Sequence, residues 1–359
     1  MAQYAAEKQI AIAAVRRACG LTASVFNKIV KQETVTKEDS SPVTVGDYSA
    51  QAVVNTILNR VFPDDPIVGE EDAADLRVDA GTALRERIIQ LANETLTAPL
   101  VPGELAEWGL GPDHGRTTEQ LLDAIDRGNY NGSKTGRMWT LDPIDGTKGF
   151  LRGEQYAVCL SLIVDAKPVV GVIGCPNLPV SLENPDGVRG CIFVAVAGQG
   201  AYQLPLSDPF TGAASKLILP VTTPETLCFL ESVEKAHAKL SFNEKVAQVL
   251  GVTKSPVRMD SQAKYCALAR GDGAVYLRMP VGSGYKEKIW DHASGAVLVE
   301  EAGGVITDGR GIPLDFGLGR TLGENFGIVA AGSDIHAKVI AAVKEAREAE
   351  AAETKAAEH

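Results

Sequence analysis

A chain of 359 residues, 45% hydrophobic and 23% charged, can bury the core of two fused subdomains and is too apolar for wholesale disorder. Its formal net charge of −11 argues against nucleic-acid polymers and anionic membranes, which need a basic face, and leaves a small molecule as the expected partner of a monomer. An anionic ligand would then need local positive charge, for which bound divalent cations are the obvious source.

In chain order, apolar Ile10, Val15, Leu21, Val25 and Ile29 recur at helical spacing among Glu7, Lys8, Arg16, Arg17 and Lys28, predicting an amphipathic helix over 4–31 with a break at Gly20. This leading segment has neither a continuous apolar stretch nor a small-residue cleavage site, so it does not read as a signal peptide, and no apolar run reaches membrane-spanning length. A second helix follows the turn-rich 41–47, with Asp47 at its start as a capping carboxylate. A strand at 66–68 runs into Gly69-Glu70-Glu71-Asp72. Helices are predicted over 83–96 and 118–127, the latter inside a stretch otherwise rich in Pro, Gly and Asn.

The apolar strand 138–141 leads into Asp142-Pro143-Ile144-Asp145-Gly146-Thr147, and β-rich runs at 156–164 and 168–175 flank Asp165-Ala166-Lys167 as a hairpin. Further strands at 191–196 and 201–204 point to an antiparallel sheet more than to βαβ units. Beyond residue 206, short strands at 229–231, 257–259 and 274–277 alternate with helices at 236–250 and 263–269, which marks a subdomain boundary. A helix from about Asp291, a strand near 327–331 and a helix from about Asp334 follow. The expected division is 1–205, 206–345 and an Ala/Glu-rich solvated tail, 346–359. Cys19, Cys159, Cys175, Cys191, Cys228 and Cys266 are scattered without CxxC spacing, the usage of a cytoplasmic protein.

The chemistry concentrates in carboxylates. In Asp142-Pro143-Ile144-Asp145-Gly146-Thr147, two aspartates separated by a Pro-stiffened turn can converge on the same cations. Gly146 permits close backbone approach, N–H groups beyond it can hold a phosphate, and Thr147 can position a water. Taken alone, this segment is equally an Asx turn with a helix cap, Glu70 and Glu71 a surface pair, and Asp291, at the start of an amphipathic helix, an N-cap. Together, three acidic sites at strand-to-helix transitions supply hard oxygen ligands for two or more Mg2+ ions. Zinc fits less well, because His114, His237, His292, His336 and His359 show no HxxxH or HxxE spacing and read mostly as surface residues.

Three motifs in this order, GEED at 69–72, DPIDGTKGF at 142–150 and WDHASGAVLVEEAGG at 290–304, resemble the inositol monophosphatase superfamily of lithium-sensitive phosphatases. Within it the chain is most similar to the 3′(2′),5′-bisphosphate nucleotidase branch, from the first helix to about residue 345. That similarity rests on the long separation of Glu70 from Asp142 and on SVEKAH at 232–237, DSQAKY at 260–265 and AVYLRMP at 274–280. GEED departs slightly from the GEES common elsewhere.

The resemblance implies an α/β (α+β) fold, the layered α/β/α/β/α sandwich that is also fructose-1,6-bisphosphatase-like, with the site between two subdomains. It implies metal ligation by Glu70, Asp142, the Ile144 carbonyl, Asp145 and Asp291, and catalytic roles for Asp47 and Thr147 in orienting the attacking water. Substrate would meet Asp145, Gly146, Thr147, His237, Ser261, Lys264, Arg278 and Asp291, with Lys264 and Arg278 on the second phosphate unless they are ordinary solvated charges. The implied activity is Mg2+-dependent hydrolysis of adenosine 3′,5′-bisphosphate to AMP and phosphate, and of 3′-phosphoadenylyl sulfate, serving sulfate assimilation and salt tolerance. Two rivals stand beside it: an inositol polyphosphate 1-phosphatase or inositol monophosphatase sharing the metal site, and a non-enzymatic cation or nucleotide sensor.

Overall fold

The computed structural model describes residues 3–31, 42–181, 183–207, 214–233, 240–282 and 284–357. Helices α1 (Ala5–Lys31) and α2 (Pro42–Val61) precede a short strand β1 (Ile67–Gly69), then α3 (Thr82–Leu96), α4 (Thr118–Asp126) and β2 (Arg137–Asp145). After α5 (Thr147–Arg152) the chain meanders through β3 (Ala157–Val164), β4 (Lys167–Pro179), β5 (Arg189–Val196), β6 (Gly200–Pro205) and β7 (Ser215–Leu217). These strands form a seven-stranded sheet in chain order, antiparallel except for the β1–β2 pair. The predicted hairpin is present: Asp165 and Ala166, at φ of 47° and 62°, supply the left-handed pair that a tight two-residue turn between β3 and β4 requires.

The rest of the chain builds a second sheet from β8 (Phe229–Glu231), α6 (Leu240–Val249), β9 (Val257–Arg258), α7 (Ala263–Arg270), β10 (Val275–Arg278), α8 (Ala293–Glu301), β11 (Gly304–Asp308), β12 (Ile328–Gly332) and α9 (His336–Ala357). Its strand order is β11-β12-β10-β8-β9. Alternation along the strands decides the layering. On β3, Val158, Leu160 and Leu162 face α1 and α2, whereas Cys159 faces α7 and α8. On β10, Tyr276 faces that same helical layer, while Val275 and Leu277 face Phe242 and Val246 of α6 and Val339 and Val343 of α9. The product is the α/β/α/β/α sandwich. Each fully buried Val or Leu contributes about 1.5–3 kcal/mol.

Several local expectations need correction. Helix α1 runs unbroken through Gly20, an exposed position where a side chain would meet nothing, so the glycine costs only its intrinsic propensity, about 1 kcal/mol, against a face buried from Ile10 to Val25. Helix α2 starts at Pro42, a residue suited to the first helical position, so Asp47 lies in the second turn, 6% exposed, and is no cap. Strands β7 and β11 had no clear pattern in the sequence. His292 and His336 are buried, His292 between the Tyr265 hydroxyl (2.8 Å) and Glu287 (3.1 Å), and His336 against the Thr307 hydroxyl (3.0 Å). All six cysteines are free and buried, and among the described residues no helix is long and apolar enough to cross a membrane.

Candidate active site

The end of β2 is shaped by Pro143. Without an N–H it cannot continue the ladder, and the register steps from Asp142 opposite Cys159 to Asp145 opposite Ala157, three residues against two. The segment is therefore a bulged strand, where a turn was expected. Gly146 follows at φ 88° and α5 begins at Thr147. A side chain at Gly146 would come within 3.0 Å of the Ser261 Cβ, so this glycine lets the β2 end meet the 260–262 turn of the other sheet.

Ser261 holds a left-handed conformation, φ 67°, which aims the Gln262 N–H at the Asp145 carboxylate. The Gln262 side chain donates to the Trp290 carbonyl (2.7 Å) and accepts from the Ser294 hydroxyl (2.8 Å) and the Gly295 N–H (3.0 Å), fixing the Ile289–Asp291 turn ahead of α8. Close packing of α8 on α7 demands a glycine at 295, where a Cβ would fall 2.1 Å from the Tyr265 ring. On the other side, Gln51 of α2 brackets the loop after β1: its amide donates to the Glu71 carbonyl (2.6 Å) and accepts from the Glu71 N–H (3.1 Å).

These segments enclose a cavity of about 360 Å³. It is lined by Glu70, Asp142, Ile144, Asp145, Gly146, Thr147, Ser261, Lys264, Arg278 and Asp291, all singled out in the sequence. Asp47 does not line it but sits buried where the charges of Glu70 and Glu71 act on it. His237 lies outside the described residues. Ser232, Asp260, Gln262 and Tyr276, which lie within the SVEKAH, DSQAKY and AVYLRMP motifs without having been singled out, also line it, as does Tyr285, which lies in no motif; Asp260 is held by Arg152 and by the Ser232 hydroxyl (3.3 Å). Tyr285, 52% exposed, is the most open of the three tyrosines, with Tyr265 and Tyr276, that line the cavity.

Neither Lys264 nor Arg278 is a solvated surface charge. Lys264 is 3% exposed, donating to the carbonyls of Ser261 (2.8 Å) and Met259 (3.2 Å), and burial lowers it to about 8 despite the pull of Asp145. Arg278 gives Nε (3.0 Å) and Nη2 (2.9 Å) to Glu287. Burial opposes ionisation of Glu287, but His292 and Arg278 outweigh it and hold that carboxyl down to about 2.

The acidic wall is frustrated by contrast. Burial raises Asp142 well above the carboxylate range, and Glu70, Asp145, Asp291 and Asp47 push it further. Asp291 is raised by burial and then by Asp145, and Asp47 by burial, Glu70 and Glu71. Solvent reaches Glu70 through the mouth of the cavity, yet protein surrounds its carboxyl closely enough that burial, then Glu71, push it up to about 7. Asp47 Oδ1 and Asp142 Oδ1 are buried with no hydrogen-bond partner. Unpartnered buried oxygens among mutually repelling carboxylates, with a backbone carbonyl beside them, form a donor set that fits hard divalent cations.

A tighter grouping of candidate ligand atoms, within 4.8 Å of one another, comprises Glu287, Asp291 and His292. Two of its members are already engaged. Both Glu287 oxygens accept from Arg278, His292 or Asn325, and both His292 nitrogens have partners, which leaves Asp291 as the member available to the cavity. The Thr147 hydroxyl lies 3.5 Å from the Ile144 carbonyl, at the limit of a hydrogen bond, and is free to turn to a ligand.

The profile of the inositol monophosphatase family matches residues 3–348. The chain belongs to the inositol monophosphatase family. A curated relative from Schizosaccharomyces pombe, named 3′(2′),5′-bisphosphate nucleotidase, is 48% identical over 344 residues, spanning 94% of this chain and 95% of the relative. Its namesake in Emericella nidulans is 46% identical over 353 residues, 95% and 98% of the two chains. Among solved structures, CysQ from Bacteroides thetaiotaomicron, a bacterial member of the family, superposes with a TM-score of 0.59 at 20% identity over 92% of this chain and 99% of that one. An inositol monophosphatase from Zymomonas mobilis gives 0.58 at 18% identity over 96% and 100%. The resemblance carried by the three motifs, and the layered fold it implied, are borne out by these matches.

Proposed function

We propose that this chain is a Mg2+-dependent phosphomonoesterase that converts adenosine 3′,5′-bisphosphate to AMP and phosphate and removes the 3′-phosphate of 3′-phosphoadenylyl sulfate. One observation carries the reading: a single cavity joins a wall of mutually repelling carboxylates to a wall holding Lys264 and Arg278. A ligand with two separated phosphates satisfies both walls, one phosphate through cations and the other directly. The names of the curated relatives support the same substrate class.

Glu70, Asp142, the Ile144 carbonyl, Asp145 and Asp291 would hold two or more Mg2+ ions. When bound, Mg2+ supplies electrophilic charge to the phosphoryl and leaving oxygens and makes water a better nucleophile. Thr147, on the cavity wall, orients the attacking water, and the water's proton passes by way of the Thr147 hydroxyl to the buried Asp47 carboxylate. The water oxygen bonds to phosphorus as the ester bond to the ribose oxygen breaks, and that oxygen takes its proton from solvent water while the proton held by Asp47 returns to solvent. Lys264, Arg278 and Ser261 hold the second phosphate, with Arg278 fixed by Glu287 so that its remaining donors can turn to the ligand. His237 is assigned to the base or ribose, and the Tyr285 ring offers the base a face to stack on.

The same reading keeps two subdomains, with the expected boundary after 205 moved past β7 (Ser215–Leu217), which pairs with β6 in the first sheet, and with α9 running on to Ala357 where a solvated tail from 346 was expected. It takes the protein as a cytoplasmic monomer in sulfate assimilation, inhibited by lithium and contributing to salt tolerance. Its test is phosphate release from adenosine 3′,5′-bisphosphate, inositol 1-phosphate and inositol 1,4-bisphosphate with Mg2+, with and without Li+. Nucleotide selectivity with lithium inhibition is expected; preference for inositol phosphates would overturn the assignment of the Lys264–Arg278 wall.

A further inference from the structure

Arg320, in the loop between β11 and β12, does not line the cavity, yet it touches the chain beside two of the proposed cation ligands. Its backbone carbonyl accepts from the Ile289 N–H (3.2 Å), Lys288 and Thr321 pair as an antiparallel bridge, and the Leu322 N–H donates to the Glu287 carbonyl (2.9 Å). Residues 320–322 thus run along the segment that delivers Asp291. The guanidinium reaches the other way. Nη1 donates to the carbonyls of Gly128 (2.9 Å) and Tyr130 (3.1 Å), and Nη2 donates to the carbonyl of Gly69, the residue before Glu70. Its carbon lies 4.9 Å from the ring centroid of Trp290, the residue before Asp291.

Only a planar fork with several donors can make these contacts together. Among the described residues no carboxylate stands within ion-pair distance of Arg320, although the charges of Asp72 and Glu70 act on it, so its charge is not consumed by a salt bridge. The loop after β1 keeps a second anchor in Gln51, and 320–322 keep their backbone ladder, so both segments retain a hold if the guanidinium is removed.

We propose that Arg320 is a positioning residue that sets the separation of the Glu70 and Asp291 carboxylates across the two halves of the site, and thereby its cation affinity. The inference rests on the reading of those carboxylates as cation ligands. Truncation would let the two edges drift apart, while Arg320→Lys would keep the charge and one carbonyl contact but lose the fork.

The test is cation binding by the full chain without substrate, measured as Tb3+ luminescence sensitised through Trp290 and as Mn2+ binding by electron paramagnetic resonance, beside thermal unfolding in EDTA. Arg320→Ala is expected to weaken both ions about 10–100-fold, the range seen when groups that orient metal ligands are lost. Arg320→Lys should fall between it and wild type, with a metal-free melting temperature close to wild type, and it carries the test should the alanine variant not fold. Wild-type affinity in a folded Arg320 variant, with only the melting temperature lowered, would make the arginine purely structural and overturn the proposal. Absence of Tb3+ and Mn2+ binding in the wild type would instead overturn the ligand reading itself, and the positioning role with it.

Discussion

Replacing Asp142 with Asn should stabilise the cation-free protein while abolishing its response to Mg2+. Asp142 is 2% exposed, its Oδ1 has no partner, and the carboxyls of Glu70, Asp145, Asp291 and Asp47 repel it. Two unit charges about 5 Å apart at an effective dielectric near 20 repel by about 3 kcal/mol. A proton shared with Glu70 in a hydrogen bond relieves part of this repulsion, which leaves a gain of about 1–2 kcal/mol for the amide, or a few degrees in melting temperature. Mg2+ at 100 times its dissociation constant stabilises a competent site by about 2.7 kcal/mol, so the order of the two proteins should invert when the ion is added. Thermal unfolding at pH 8 in EDTA and in Mg2+ reads both states. A variant less stable than wild type in EDTA, with both proteins raised equally by Mg2+, would refute the picture of a repulsive cluster awaiting cations.

Other expectations follow from the same geometry. Asp47→Asn and Thr147→Ala should each lower kcat about 10²–10⁴-fold with KM within a few-fold of wild type, as steady-state kinetics would reveal. Lys264, lowered by burial to about 8, is charged below that pH and neutral above it, so KM for adenosine 3′,5′-bisphosphate should climb between pH 7 and 9. Arg in its place would remain charged and flatten the rise; an equal rise in Lys264→Arg would assign the titration elsewhere. Tyr285→Ala should raise KM for adenosine 3′,5′-bisphosphate about 5–150-fold through lost stacking, about 1–3 kcal/mol, and leave ribose 3,5-bisphosphate unaffected.

Periodicity made much of the fold legible. The β-rich run of β3, the hairpin at Asp165-Ala166 and the helical spacing from Ile10 to Val25 depend on neighbours in sequence, and all three are present. The cavity was legible at Asp142, Asp145 and Glu70 because unusual local chemistry marks strand ends. Asp47 reads as a cap in the sequence, but Pro42 starts the helix five residues earlier, and the Glu70 and Glu71 charges that act on Asp47 come from a distant part of the chain. The bulge at Pro143 could have been inferred, since proline cannot pair inside a sheet. Gln51, Gln262 and Arg320 act on backbone groups of distant segments, contacts that no spacing within a single sequence encodes. His292 looked like a surface residue for the same reason, because Tyr265 and Glu287 become its partners only through packing.

The most direct measurement identifies the product formed from adenosine 3′,5′-bisphosphate in Mg2+. With the 3′-phosphate on the carboxylate wall and the 5′-phosphate on Lys264 and Arg278, AMP carrying its 5′-phosphate should be the sole nucleotide product, released in equal amount to inorganic phosphate. Formation of adenosine 3′-monophosphate, or no phosphate release at all, would contradict the account.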